Sequence, residues 1–152
     1  MSKRDTGTGN VLEQMVPHSL EKGGYTVVKS ANVGKRPSGN KHIVDAIAIK
    51  GNQKFLISLK WQQVNGTAEQ KIPYEVISLL KIMKDNATGY SGAYIVLGGE
   101  GWTLKDFYTN NGLNEYMNTG SVKIVTFENF IYLANKGMLA TNESLSDRMF
   151  VK

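Results

Sequence analysis

Two side chains of opposite charge stand where strands usually keep apolar residues. Residues 42–60 read HIVDAIAIK, GNQK, FLISLK: two apolar runs around a Gly51-Asn52 turn. Asp45 lies inside the first run, and Ser58 and Lys60 lie near the end of the second. Buried strands seldom carry an Asp and a Lys unless something requires them. With Gly51-Asn52 as a two-residue hairpin loop, Lys50 pairs with Gln53. Carried along the strands, this register sets Asp45 opposite Ser58, with Lys60 as its diagonal neighbour on the same face. Such a pair can hold a hard cation at the carboxylate and offset negative charge at the ammonium. The alternative is a structural ion pair, a weak source of stability compared with apolar substitutes.

The elements that must position this hairpin follow from periodicity. Asn10 to Lys22 places Leu12, Met15, Val16 and Leu20 at helical spacing, with Pro17 expected to kink or split the helix. Tyr25 to Lys29 reads as a short β-branched strand, and SANVGKRPSGNK after it as a loop. Trp61 to Lys71 is polar and without period, so it is expected to be a loop. Pro73 opens a helix to about Asn86, with Val76, Leu79, Leu80 and Met83 as its apolar stripe. Ala93 to Leu97 reads as a buried strand, GGEGW as a turn, Leu104 to Tyr108 as a short helix and Val122 to Val125 as a strand. Thr126 can cap a last helix running to about Asn135. The order α-β-β-β-α-β-α-β-α predicts an α/β fold, a central mixed β-sheet flanked by helices, with the β-α-β step through the Pro73 helix making two strands parallel.

Composition sets the bounds. The 152 residues fit a single domain over 1–152, with 1–9 and about 138–152 expected to be flexible. There are no cysteines, so any metal must be held by oxygen or by the two histidines. No run approaches the ~18 apolar residues of a membrane span, and a cytoplasmic protein is the expectation. The net charge of +5 favours a polyanionic partner. Its distribution says more: Lys29, Lys35, Arg36, Lys41 and His42 occupy a stretch with no acid before Asp45.

The helix, strand meander and α-β crossover, with Asp45 and Ser58-Leu59-Lys60, resemble the PD-(D/E)XK nuclease superfamily over roughly Asn10 to Val125. The resemblance implies a restriction-endonuclease-like core and matches the family's Asp to Asp45 and its catalytic Lys to Lys60. Ser58 stands where the family usually has a second acid. Some restriction enzymes of the superfamily have Ser-X-Lys and draw a carboxylate from the following helix, which here implies Glu75. Junction resolvases use an acid on the first helix, which here implies Glu13. The implied cofactor is Mg2+, with Mn2+ able to substitute, held by Asp45 with Glu75 or Glu13. Lys60 would then stabilise developing charge or help deprotonate a water.

The surrounding residues suit DNA. Lys35, Arg36, Lys41 and His42 are candidate phosphate contacts, and Gln62 and Gln63, directly after the Lys60 strand, are candidate groove contacts. The expectation is a Mg2+-dependent endonuclease of restriction type acting on double-stranded DNA. A Holliday-junction resolvase, or a DNA-binding module on a degenerate nuclease fold, are the alternatives. A homodimer would supply two sites for two strands, and a larger recognition subunit is the other arrangement considered.

Overall fold

The computed structural model describes residues 6–86 and 89–140, with side chains from Leu12 onward. Helix α1 (Thr6–Lys22) leads into strands β1 (Thr26–Lys35), β2 (Lys41–Lys50) and β3 (Gln53–Trp61). Helix α2 (Ile72–Asp85), strand β4 (Gly92–Gly98), helix α3 (Lys105–Thr109), strand β5 (Val122–Thr126) and helix α4 (Phe127–Lys136) follow. Short 3-10 turns precede α2 (Ala68–Lys71) and follow α3 (Gly112–Glu115). Among the described residues no helix is long and apolar enough to cross a membrane.

The five strands form one sheet in chain order. β1–β2 and β2–β3 are antiparallel, whereas β3–β4 and β4–β5 are parallel. β4 is buried along its whole length, as a central strand covered on both faces must be. One face packs Val76, Leu79 and Ile82 of α2 against Leu56, Ile95 and Leu97. On the other, Val16 and Leu20 of α1 and Phe130 and Ala134 of α4 cover Ala46, Ala48, Ile57 and Val96. Each buried Val, Leu, Ile or Phe among these contributes ~1.5–3 kcal/mol, so the two helix layers hold the sheet between them.

Three expectations are corrected. The stretch after Lys29 is strand rather than loop: β1 continues to Lys35, and only residues 36–40 turn. Its Gly, Ser and Asn content argues against a strand locally, but β2 satisfies its backbone groups, and pairing outweighs propensity. Pro17 lies within a continuous α1, which starts at Thr6 and not at Asn10. Residues 138–140 are tied down: the Leu139 amide donates to Tyr25 Oη at 3.0 Å and the Ala140 amide to Tyr94 Oη at 3.0 Å. The remainder of both stretches expected to be flexible, 1–5 and 141–152, lies outside the described residues. The Thr126 cap is present, its hydroxyl accepting from the Asn129 amide at 3.1 Å.

The hairpin register runs from Lys50–Gln53 to Ala46–Ile57 as the turn requires. There the β2–β3 ladder ends, while β2 stays paired with β1 as far as Lys41. Alternation slips at the same level. Ala46 and Ala48 pack toward α1 and α4, yet Val44 packs toward α2. Across from Asp45 in β1, Val27 and Ala31 divide in the same way, and Ser30 between them has φ +50°. A left-handed non-glycine residue inside a strand is uncommon and turns the strand over locally. Beyond this slip His42, like Val44, is turned toward α2.

Candidate active site

Asp45 sits at the fork where β2 leaves β3. Instead of a backbone pair with Ser58, its side chain bridges the gap: Oδ2 accepts a hydrogen bond from the Leu59 amide at 2.6 Å. The residue is exposed and lines a pocket of about 220 Å3 together with Glu13, Lys29, Ser30 and Leu59. Partial loss of hydration inside that pocket pushes its carboxyl pKa up, the Leu59 amide and Lys60 pull it down, and the Glu75 charge pushes it up again. The net is above the ordinary carboxylate value. Glu13, exposed on α1, is also raised, by partial loss of hydration against the pocket wall and then by Asp45.

Glu75 occupies the other side of the fork. Proline at the start of α2 fixes the first turn, which delivers this acid beneath the sheet. It is 3% exposed. Oε1 lies 2.6 Å from Arg36 Nη1 and 3.6 Å from Lys60 Nζ, and Oε2 lies 3.1 Å from His42 Nε2. Ser58 adds a hydrogen bond. Burial by itself would raise this carboxyl, but the His42 bond, the Lys60 charge and the Arg36 and Ser58 bonds outweigh it. They hold the pKa far below the usual range. An ionised carboxylate only accepts, so His42 Nε2 carries the bridging proton. The buried Nδ1 of the same ring has no hydrogen-bond partner.

The acid absent at position 58 is thus replaced in space by Glu75, which meets both the Ser58 hydroxyl and Lys60. Asp45, Lys60 and Glu75 are brought together, and Glu13 joins Asp45 from the α1 side. Among the described residues no group of three or more His, Asp and Glu side chains is arranged to hold a metal ion. Asp45 and Glu13 nevertheless fit a hard divalent cation, because their donors are oxygens and the two acids face one pocket, where each negative charge disfavours the other. Glu75, by contrast, already has its charge balanced.

The nucleic-acid candidates divide. Lys35 and Lys41 are exposed and face each other at the base of the β1–β2 turn. Arg36 is engaged with Glu75 and lies over the Tyr74 ring, 6.0 Å from its centroid. His42 does not meet solvent at all: it is fully buried against Glu75, so it is no phosphate contact. The slip in alternation at Asp45 sets it toward α2 and Glu75 rather than toward α1. Gln62 is likewise buried, its Nε2 donating to the Gly101 carbonyl at 2.8 Å and its Oε1 accepting from the Ala68 amide at 2.9 Å. It ties the loop after Lys60 to the loop after β4 and reads no groove. Gln63 is exposed.

The glycines of residues 98–101 serve this tie. Gly99 has φ +90°, and a Cβ there or at Gly101 would overlap the backbone of Gln62 or Val64. Trp102 is packed, donating to the Gly98 carbonyl at 2.7 Å. Glu69, which no sequence pattern singled out, is buried and accepts from the amides of Thr103 and Leu104. Its role is visible only once the two loops are side by side.

The chain is similar to known structures at low identity. One is the crystal structure of a protein of unknown function: 16% identical, TM-score 0.52, with 92% of this chain and 77% of that chain covered. Another is the small subunit of the heterodimeric restriction endonuclease R.BspD6I: 17% identical, TM-score 0.47, with 94% of this chain and 78% of that chain covered. No curated protein matches the sequence. The family model of the PD-(D/E)XK nuclease superfamily domain matches residues 4–138. The chain, with its forked strands, Asp45 and Lys60, belongs to the PD-(D/E)XK nuclease superfamily.

Proposed function

We propose that this chain is a divalent-metal-dependent endonuclease of restriction type that hydrolyses phosphodiester bonds in double-stranded DNA. The observation that carries the reading is the Lys60–Glu75 contact of 3.6 Å beside Ser58, at the fork that also presents Asp45. It restores in three dimensions the acid-and-lysine arrangement that the sequence interrupts. Mg2+, or Mn2+ in its place, would be held by Asp45 with Glu13 or Glu75 as the second carboxylate. Such an ion supplies Lewis acidity to the phosphodiester and lowers the pKa of an attacking water.

The chain's own residues do the rest. Lys60, anchored on a strand and a quarter exposed, offsets the negative charge that develops on the phosphate oxygens. Glu75 holds that ammonium in place, while Ser58 and His42 hold Glu75. The Leu59 amide fixes one oxygen of Asp45 and so its direction. Lys35 and Lys41 would neutralise phosphates, and Gln63 would meet the DNA beside the site. One such site cuts one strand, so a double-strand break requires a second copy or a larger recognition subunit.

A Holliday-junction resolvase is the second reading. It is favoured by one observation, Glu13 reaching the Asp45 pocket from the first helix. The test of both is incubation of supercoiled plasmid, linear duplex and a four-way junction with the protein and Mg2+, beside an Asp45→Ala control. Cutting of plasmid and duplex supports the restriction-type reading, and cutting of the junction alone selects the resolvase. Bound but uncut DNA in every lane would leave only a DNA-binding module.

A further inference from the structure

Glu75 faces more positive charge than one carboxylate needs. Arg36 and Lys60 share Oε1, and His42 holds Oε2. These partners differ in how firmly they are fixed. His42 is fully buried in β2, and Ser58 and Lys60 belong to β3. Arg36 comes from the β1–β2 turn, which is closed by its own amide donating to the Asn40 carbonyl and by the Gly39 amide donating to the Arg36 carbonyl, both at 2.8 Å. Besides Arg36, that turn is tied to α2 by the Ser38 amide donating to Tyr74 Oη at 3.2 Å. Gly39, at φ +95°, has open space where a side chain would be. The guanidinium that completes the Glu75 cage is therefore carried by a surface turn, whereas its other partners stand on strands of the sheet.

The same turn gathers exposed basic residues. Residues 30–44 contain no acid, and Lys35 and Lys41 flank Arg36, both exposed. A phosphate reaching them meets Arg36 next, and a guanidinium fork binds phosphate as readily as carboxylate.

We propose that Arg36 is a positioning residue that withholds Glu75 from a divalent cation until a DNA phosphate draws its guanidinium away. The inference rests on the nuclease reading above and adds its order of assembly. With Arg36 on phosphate, Glu75 Oε1 keeps Lys60 and regains a lone pair. Metal and DNA then favour each other's binding, since a coupling of this kind is reciprocal. Without DNA the protein holds metal weakly and does not expose a complete site.

The test is calorimetric titration of the full chain with Mn2+ in the absence of DNA. Arg36→Gln is expected to bind Mn2+ about tenfold or more tightly than wild type, because a charge-assisted hydrogen bond no longer has to be broken. Glu75→Gln in the Arg36→Gln background should abolish the gain. Arg36→Lys, which keeps the charge but not the fork, should fall between, and it carries the prediction if Arg36→Gln does not fold. Unchanged or weaker Mn2+ binding by folded Arg36 variants, or a gain that survives Glu75→Gln, overturns the proposal. A wild type that cuts no DNA while Arg36→Gln still gains affinity through Glu75 defeats the nuclease reading and leaves the withholding intact. Cutting by wild type with no change in affinity does the reverse.

Discussion

Lys60 Nζ lies 3.6 Å from Glu75 Oε1, joining the end of a strand to the first turn of a helix fifteen residues later in the chain. The distance matters because Ser58, two residues before Lys60, cannot supply a carboxylate. α2 brings a carboxylate beside that lysine, and the parallel β3–α2–β4 connection folds α2 onto the sheet.

Lys60→Met is expected to lower DNA cleavage by about 10²–10³-fold, the usual scale for removing one group that stabilises transition-state charge. Duplex binding should change little, because Lys35 and Lys41 remain. Cleavage of labelled duplex and fluorescence anisotropy read the two quantities separately, and equal losses in both would contradict the role given to Lys60.

Glu75→Ala is expected to destabilise the fold by about 3–5 kcal/mol, since it leaves Arg36, Lys60 and buried His42 without their shared acid. Glu75→Gln should cost less, because the amide oxygen can still accept. Urea unfolding checks the order. Equal stability of Glu75→Ala and wild type would mean that the cage contributes nothing.

The pH dependence has a definite sign. Glu75 has a folded pKa far below its ordinary 4.5, so its contribution is fully present above that value. It is lost as pH falls through the folded value. Asp45 has the opposite shift: its ionisation is disfavoured by folding, so lowering the pH through its raised value relieves a cost. Urea midpoints between neutral pH and pH 3 should fall more steeply in wild type than in Glu75→Gln. Asp45→Asn, which removes the opposing group, should fall more steeply than wild type.

Glu13→Gln and Glu75→Gln should separate metal binding from architecture. Glu13 is exposed, so its loss is expected to leave the melting temperature within about 0.5 kcal/mol equivalent of wild type while weakening Mn2+ binding. A large drop in stability on Glu13→Gln, with Mn2+ binding untouched, would show that α1 contributes packing and not a ligand.

Gln62→Ala removes both ends of the tie between the two loops and is expected to cost about 1–3 kcal/mol by leaving the Gly101 carbonyl and Ala68 amide unpaired. Hydrogen exchange at Ala68 should quicken selectively. Exchange as slow as in wild type would show that the loops are held without it.

Much of the site is determined by local sequence. Gly51-Asn52 sets the hairpin register, which places Asp45 and Lys60 at the same end of β2 and β3, and Pro73 starts the helix that bears Glu75. These follow from turn geometry and periodicity, which act over a few residues. What the tertiary structure decided is what each side chain meets. The slip at Ser30 and Asp45 depends on two paired strands changing faces together, so alternation along either one cannot reveal it. That slip turns buried His42 toward α2, and β2 holds the rest of β1 in a strand that its own composition disfavours. Arg36 therefore ends beside Glu75, 39 residues away. Its basic neighbours suggest a phosphate contact, but burial of an acid requires a partner, and the fold assigned Arg36 to it.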